Sequence, residues 1–382
     1  MRTIWVTPVA AARALAADIA ARADEADRLG RLPPEDLQAL RAAGYLALSV
    51  PAEYGGGGLS LRDCAAAQLE LAAGSASTAL VAAMSLQVFG HARENRPWPE
   101  AAFEHLCRAA AAGAVVNSVA SEPALGSPSR GAFFQTRAER DGDAWLITGH
   151  KTWTTGGRHL THLLVKLDID GEPGTILVPG DAPGVEWVDT WSDSLSLRAS
   201  DSHDVYFRQV RVPADHLLER GRREDRVPNA WFPMMVAATY LGTARAARDA
   251  VIRYALERVP TALGKPIATL PHIQRQIGEL DVALQAAELL LLDTAAAWPG
   301  DESGRDFYPR IVAAKHLATE TALRVTDAAL RIAGGAGITR GLPLERYFRD
   351  VRAGLMHPPA GDTALEIIGQ GAIDRLKGNG HG

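Results

Sequence analysis

The C-terminal segment MHPPAGD, residues 356–362, brings together side chains that can move protons. His357 has an imidazole whose ordinary pKa, about 6.5, lies close to neutral pH, so it can act as a base or as a hydrogen-bond donor. Asp362 follows two prolines where a new helix can begin, so its carboxylate is either a base or an N-cap. Glu366 is expected to be an exposed helix residue. His357 and Asp362 are therefore the candidate catalytic residues, with a loop or interface histidine as the alternative for His357.

Three blocks of different periodicity make up the chain. From about residue 8 to residue 112, apolar residues recur at three- and four-residue intervals, which predicts helices. From about residue 115 to residue 218 the period changes to two, which predicts antiparallel strands, and helical spacing then returns in long apolar segments. The predicted fold class is α+β, with an N-terminal helical domain (1–114), a central antiparallel β-domain (115–220) and a C-terminal four-helix bundle (221–382).

Composition excludes several classes of protein. The 382 residues carry a net charge of −5 with no basic stripe, which argues against nucleic acid as a partner. No run approaches the roughly 20 apolar residues that a membrane span needs. The two cysteines, Cys64 and Cys107, have the spacing of neither a disulfide framework nor a metal site, so we expect a cytoplasmic protein without a structural metal.

Five separated segments carry a resemblance that covers nearly the whole chain. They are LALSVPAEYGGGGLS, SVASEPALGS, GHKTWTTGG, YALERV with GKPIATLPHIQRQIGELD, and RIAGGAGITRGLPLERYFRDVR. In this order they resemble the acyl-CoA dehydrogenase superfamily of flavoproteins. Each motif alone is weakly specific, but the occurrence of all five in this order is strong evidence for the resemblance. The resemblance implies a flavin-dependent oxidoreductase that binds FAD and acts on a small molecule.

The second and third segments imply the residues around the flavin ring. These residues are Ser118, Ala120, Ser121, Gly126, Ser127, Trp153, Thr154 and Thr155. A flavin takes hydride at N5, and hydrogen bonds from hydroxyl and backbone N–H groups tune the ring without a charged side chain. The indole of Trp153 can stack on the ring and exclude water, or it can be an ordinary edge residue of the sheet.

Two further segments imply contacts with the FAD of a neighbouring subunit. Arg258 and Arg331, the latter where relatives commonly have Gln, are expected near the pyrophosphate. Gly334 and Gly335 allow backbone amides to approach it closely. The plain alternatives are a solvated charge for Arg258 and a helix C-cap for the glycines. Together with the wide apolar helix faces, these segments predict a homodimer or homotetramer.

The catalytic carboxylate of acyl-CoA dehydrogenases has no counterpart where the resemblance places it. Its position falls on Pro358, and the helix that carries it in other branches has no acid between residues 231 and 247. The position of His357 resembles that of a histidine in flavin-dependent monooxygenases of the same fold, where an imidazole beside the flavin can donate a hydrogen bond or move protons. His203 is a further histidine near the expected substrate side, with a strand-edge role as the alternative.

Three functions are compatible with these residues. The main prediction is oxidation of the CH–CH bond of an acyl-CoA or another acyl thioester, with FAD, a non-standard base and an electron-transfer flavoprotein as acceptor. The alternative is a monooxygenase of the same fold that receives reduced flavin from a flavin reductase, with FMN in place of FAD. The third is a flavin- or CoA-binding protein without catalytic activity.

Overall fold

The computed structural model describes residues 7–124, 134–221 and 226–378. The first helical block consists of α1 (Pro8–Leu29), α2 (Pro34–Ala42), α3 (Leu61–Ala72), α4 (Ala76–Asn95) and α5 (Glu100–Ala111). The hydroxyls of Thr7, Ser60 and Ser75 each accept a hydrogen bond from a backbone N–H in the first turn of the helix that follows. Such caps satisfy N–H groups that have no partner within the helix, so they fix where α1, α3 and α4 begin.

Helix α4 joins the first block to the sheet. It is buried on nearly every side, polar residues included. The Ser85 hydroxyl donates to the carbonyl oxygen of Val116 at 3.0 Å and accepts from its N–H at 3.1 Å. Because Val116 begins the strand that leads to the predicted flavin loop, α4 fixes the position of that strand.

The described part of the central block forms one sheet of eight strands. The strands are β1 (Val116–Val119), β2 (Arg137–Asp141), β3 (Ala144–Thr154), β4 (His162–Ile169), β5 (Glu172–Pro179), β6 (Val185–Val188), β7 (His203–Pro213) and β8 (Leu217–Arg220). They lie in the order β6-β7-β3-β2-β4-β5-β8, with β1 beside β4. Most pairs are antiparallel, as predicted, but β1 and β2 run parallel to β4. Parallel pairing is possible there because no hairpin turn joins these strands to β4.

The C-terminal block consists of α6 (Trp231–Glu257), α7 (Pro271–Ala297), α8 (Gly304–Ala333), α9 (Leu344–Asp350) and α10 (Gly361–Gly378). Helix α6 is central, because it packs against α7 and α8 and also against α3 and α4 of the first block. Helix α7 is peripheral and exposes Val282 and Leu289. Helix α10 packs on α8 and completes the predicted four-helix bundle, to which the short helix α9 is added.

The predicted fold is confirmed, whereas the predicted domain boundaries at residues 114 and 220 stay predictions. Helix α5 ends at Ala111 and β1 begins at Val116, while β8 ends at Arg220 and α6 begins at Trp231. No helix within the three described ranges is both long and apolar enough to cross a lipid bilayer.

Candidate active site

The backbone that follows β1 is held against the end of β3. The N–H of Thr152 donates to the carbonyl oxygen of Ser121 at 3.0 Å, and Lys151 Nζ donates to that of Ala120 at 3.2 Å. Ser118, Ala120 and Ser121 are all partly exposed along this edge. Two segments that the resemblance assigns to the flavin are therefore neighbours in the folded chain.

A buried ion pair anchors this junction. Lys151 Nζ lies 2.7 Å from a carboxylate oxygen of Glu122, and the two side chains are 0% and 1% exposed. The carboxylate also accepts hydrogen bonds from the backbone N–H groups of Gln135 and Thr136. Burial lowers the pKa of Lys151 to about 8. Burial also acts to raise the pKa of Glu122, but the hydrogen bond from Lys151 and those from the backbone lower it below its ordinary value.

The sequence analysis did not identify Lys151 and Glu122 as members of the site. The available signal was a lysine within a largely apolar strand, a residue type that is seldom fully buried without a partner. Because the pair ties the end of β3 to the segment after β1, its role is to position the loop rather than to contact the flavin.

Trp153 is exposed although it belongs to a strand of the central sheet. Its side chain is 54% exposed and its φ is +56°, in the left-handed region. The pairing of β3 with β7 is irregular between Lys151 and Thr154, and this bulge turns the indole outward. A bulky residue in this conformation costs about 1–2 kcal/mol, a strain that is found preferentially at functional sites. An exposed aromatic plane fits the predicted contact with a flavin ring.

Unpartnered polar atoms occur at the end of β3 and in β1. Thr154 Oγ1 and Asn117 Oδ1 are buried and have no hydrogen-bond partner among the described residues. Asn117 lies in β1 next to Ser118, and its amide nitrogen donates to the carbonyl oxygen of Thr155 at 3.0 Å. The Thr155 hydroxyl is already bonded to Ser202 Oγ at 2.9 Å. A polar ring system such as a flavin would satisfy the free atoms, so the residues present fit this cofactor.

His357 belongs to the loop between α9 and α10 and contacts helix α6. Its Nδ1 is 2.9 Å from the Tyr240 hydroxyl, and its ring meets the edge of Phe232 with the centroids 5.8 Å apart. Burial and, next, the charge of Lys315 lower the pKa of His357 to about 4. Burial raises the pKa of Tyr240 well above its ordinary value. Both groups are therefore neutral at pH 7.

The hydrogen bond to Tyr240 determines the tautomer of His357. The hydroxyl has no acceptor other than His357 among the described residues, so it donates to Nδ1. The proton of the neutral imidazole is then on Nε2, which has no protein partner in the described part of the chain. His357 thus presents a hydrogen-bond donor and no negative charge.

No carboxylate occupies the position of the base in the described structure. Pro358 follows His357 directly, and α6 has no acid between residues 231 and 247. Asp362 and Glu366 are both exposed on the first turns of α10. His203 is buried at the start of β7, between β6 and β3, and its Nδ1 accepts a hydrogen bond from the N–H of Thr190. Its substrate-side and strand-edge roles both stay predictions.

The remaining predicted residues lie elsewhere. Arg258 is exposed at the end of α6, and Arg331 is exposed on α8, where it pairs with Asp327 at 2.9 Å. Gly334 and Gly335 are exposed just after α8, and no atom lies within 4 Å of the place where a Cβ would stand. The structure does not bring these four residues to the ring site of the same chain. Gly126 and Ser127 lie outside the described residues.

Comparison with known proteins identifies the family of the chain. Models of the acyl-CoA dehydrogenase N-terminal, middle and C-terminal domains match residues 9–93, 118–210 and 234–360. A Bacillus subtilis (strain 168) protein named "Putative acyl-CoA dehydrogenase YdbM" is 38% identical over 356 residues, which cover 92% of this chain and 93% of YdbM. The chain belongs to the acyl-CoA dehydrogenase family. The predicted family and the class of flavin-dependent oxidoreductase are thereby confirmed.

Other proteins that resemble this chain are not named as acyl-CoA dehydrogenases. L-evernosamine nitrososynthase of a Micromonospora strain is 32% identical over 377 residues, which cover 93% of this chain and 87% of that protein. A structure of KijD3 with FMN and dTDP-3-amino-2,3,6-trideoxy-4-keto-3-methyl-D-glucose has a TM-score of 0.82 and 29% identity, and the match covers 97% of this chain and 95% of KijD3. The family is therefore established, whereas the reaction needs a separate argument.

Proposed function

We propose that this family member is a flavin-dependent monooxygenase that receives reduced flavin from a partner reductase and uses it with oxygen. The observation that carries the proposal is the neutral His357 in place of the carboxylate. A general base works best when its pKa lies near the operating pH, and the lowered pKa of His357, about 4, makes it a poor base for a carbon-bound proton. The same neutral ring is a good hydrogen-bond donor through Nε2.

The residues of the site have distinct roles in this proposal. Bound reduced flavin supplies the electrons for the chemistry with oxygen, in which one oxygen atom goes to the substrate and the other to water. The indole of Trp153 covers the ring and excludes water. The hydroxyl of Thr154 satisfies a polar edge of the ring. His357 would donate a hydrogen bond from Nε2–H toward the reacting oxygen, while Tyr240 holds its tautomer.

The cofactor under this proposal is FMN. KijD3, which contains FMN in its structure, supports this choice. Arg258, Arg331 and the two glycines after α8 are then not required for the pyrophosphate of a neighbouring subunit's FAD. Chromatography of the flavin released from the purified protein distinguishes FMN from FAD.

A single-turnover experiment tests the role of His357. Protein loaded anaerobically with reduced FMN is mixed with oxygenated buffer, and the release of hydrogen peroxide is followed. The wild type should release peroxide more slowly than free reduced FMN does, and His357→Gln should release it about tenfold faster than the wild type, equivalent to about 1.4 kcal/mol. Asp362→Asn is the control and should match the wild type. Loss of the delay in Asp362→Asn alone would overturn the assignment to His357.

The second candidate function is that of an acyl-CoA dehydrogenase, and the similarity to YdbM favours it. In this case the substrate is an acyl-CoA or another acyl thioester, the cofactor is FAD, and an electron-transfer flavoprotein accepts the electrons. The base is then Asp362 or His357. This function requires reduction of the flavin by the thioester without oxygen, which the monooxygenase does not perform.

The quaternary structure is a homodimer or homotetramer in our proposal. Val282 and Leu289 on α7 are 70% and 71% exposed, and Leu376 on α10 is 78% exposed. Large aliphatic side chains that are exposed on α7 and α10 indicate a surface that a second copy covers. Light scattering after size-exclusion chromatography measures the number of chains directly.

A further inference from the structure

Lys315 is a buried cation beside the candidate active site. It lies in the middle of α8, is 2% exposed, and follows the buried Ile311 by one helical turn. Its Nζ donates to the carbonyl oxygens of Gly354 at 2.9 Å, of His357 at 2.8 Å and of Pro359 at 3.1 Å. An ammonium group has three N–H donors, so these three bonds use all of them.

The charge of Lys315 has no carboxylate partner. No ion pair involves it within the described ranges, and burial lowers its pKa to about 8. Burying a charge costs several kcal/mol, and a methionine fits the same volume without this cost. The ammonium therefore has a role other than filling space in the core, and its three hydrogen bonds indicate what that role is.

All three acceptors of Lys315 belong to the loop that carries His357. The loop, residues 354–359, lies between α6 and α8. A Cβ at Gly354 would be 2.8 Å from a ring carbon of Tyr240 and 3.0 Å from Cγ2 of Thr319, so only glycine allows this close approach. Three carbonyl groups whose oxygens converge on one point repel one another unless a cation lies among them.

We propose that Lys315 is a positioning residue of the site, whose ammonium gathers three carbonyl oxygens of the loop and thereby holds His357 against Tyr240. The role assigned to His357 rests on the proposed function, but the geometry of the loop does not. Lys315 has a second effect, because its positive charge acts with burial to keep the imidazole neutral. One cation thus fixes both the place and the protonation state of His357.

The test compares Lys315→Met with the wild type by two independent measurements. The first is the pair of ring-nitrogen shifts of His357 in protein labelled with ¹⁵N-histidine, which report tautomer and protonation. We expect the single Nε2–H tautomer of the wild type to give way to an exchanging mixture in Lys315→Met. The second is peroxide release, which we expect to become about tenfold faster. Flavin affinity should stay unchanged, because Lys315 does not contact the ring site.

A matched control is available in the sheet. Lys166 is a half-buried lysine that pairs with Glu219 and lies in β4. Lys166→Met should leave the shifts of His357 and the peroxide release unchanged. Equal effects of both substitutions on the shifts of His357 would overturn the positioning role.

The outcomes separate this inference from the proposed function. If Lys315→Met keeps the wild-type shifts, Lys315 does not position His357, whatever the reaction is. If the wild type does not delay peroxide release but Lys315→Met still changes the shifts, the proposed reaction is wrong and the positioning role stands.

If Lys315→Met does not fold, a measurement on the wild type tests whether Lys315 positions His357. Glu320 from α8 acts on Lys315, and Asp350 from α9 acts on Tyr240 of α6. The pKa of Tyr240 lies well above its ordinary value and that of Asp350 is about 6. Loss of the Lys315 proton should therefore change the ring-nitrogen shifts of His357 as the pH rises through about 8. The ¹⁵N signal of the Lys315 ammonium locates its own titration, and constant shifts of His357 through that titration would overturn the inference.

Discussion

The substitution Tyr240→Phe removes one oxygen atom and tests whether that hydroxyl fixes the His357 ring. Tyr240 is fully buried, so a phenylalanine ring fits the same space. The hydroxyl lies 2.9 Å from Nδ1, and its loss leaves this nitrogen without a partner. An intramolecular hydrogen bond contributes about 0.5–1.5 kcal/mol net, and a buried acceptor left unpaired costs about 1–3 kcal/mol. We therefore expect the free energy of unfolding to fall by about 1–3 kcal/mol.

The same substitution should release the tautomer of His357. Without a donor at Nδ1, the preference for the Nε2–H form decreases by about 1 kcal/mol, or about fivefold in the tautomer ratio. Peroxide release after mixing with oxygen should then become faster by a similar factor. The ring-nitrogen shifts of ¹⁵N-labelled histidine measure the tautomer, and guanidinium denaturation followed by tryptophan fluorescence measures stability.

Tyr45→Phe provides the matched control. The Tyr45 hydroxyl donates to Gln68 Oε1 at 3.1 Å in the buried N-terminal block, and among the described residues neither side chain is hydrogen-bonded to Tyr240 or His357. This variant should lose a similar amount of stability and leave the His357 shifts and the peroxide release unchanged. The reasoning is refuted if Tyr240→Phe loses stability but retains the wild-type shifts of His357, because Tyr240 would then be a packing residue only.

Three further predictions concern the rest of the site. Trp153→Gly should weaken flavin binding by about tenfold in a fluorescence titration, because aromatic stacking is lost, and should not lower stability, because glycine tolerates the left-handed φ. Lys151→Met should lower the free energy of unfolding by about 3–5 kcal/mol, because it leaves the Glu122 carboxylate buried and unpaired, and adding Glu122→Gln should recover most of the loss. His357 has a pKa lowered from 6.5 to about 4, so its contribution to stability is complete above pH 6.5 and is lost as the pH falls through about 4. His357→Gln should consequently flatten the fall in unfolding free energy across that interval.

The fold was readable from the sequence because its two kinds of periodicity are well separated. The strand pattern of HDVYFRQVRVP corresponds to β7. The break between α3 and α4, at residues 73–75, was not predicted. The parallel pairing of β1 with β4 was not readable, because the partner of a strand depends on tertiary packing and not on alternation.

The ring site was only partly readable. Trp153 was identified from its motif, but its left-handed backbone depends on a bulge that local sequence does not specify. The contact of Tyr240 with His357 joins residues 117 positions apart, so no local pattern reveals it. Lys315 did leave a signal, since it shares the buried face of α8 with Ile311 and Ala318, where a cation is out of place.

Anaerobic titration of the flavin-loaded protein with a series of acyl-CoA thioesters tests the central claim most directly. The claim is that a neutral imidazole has replaced the carboxylate that removes the α-proton. The account predicts that the visible band of the oxidised flavin persists with every thioester, and that the same protein, supplied with reduced flavin, reacts with oxygen. Stoichiometric bleaching of the band by any acyl-CoA in the absence of oxygen would contradict it.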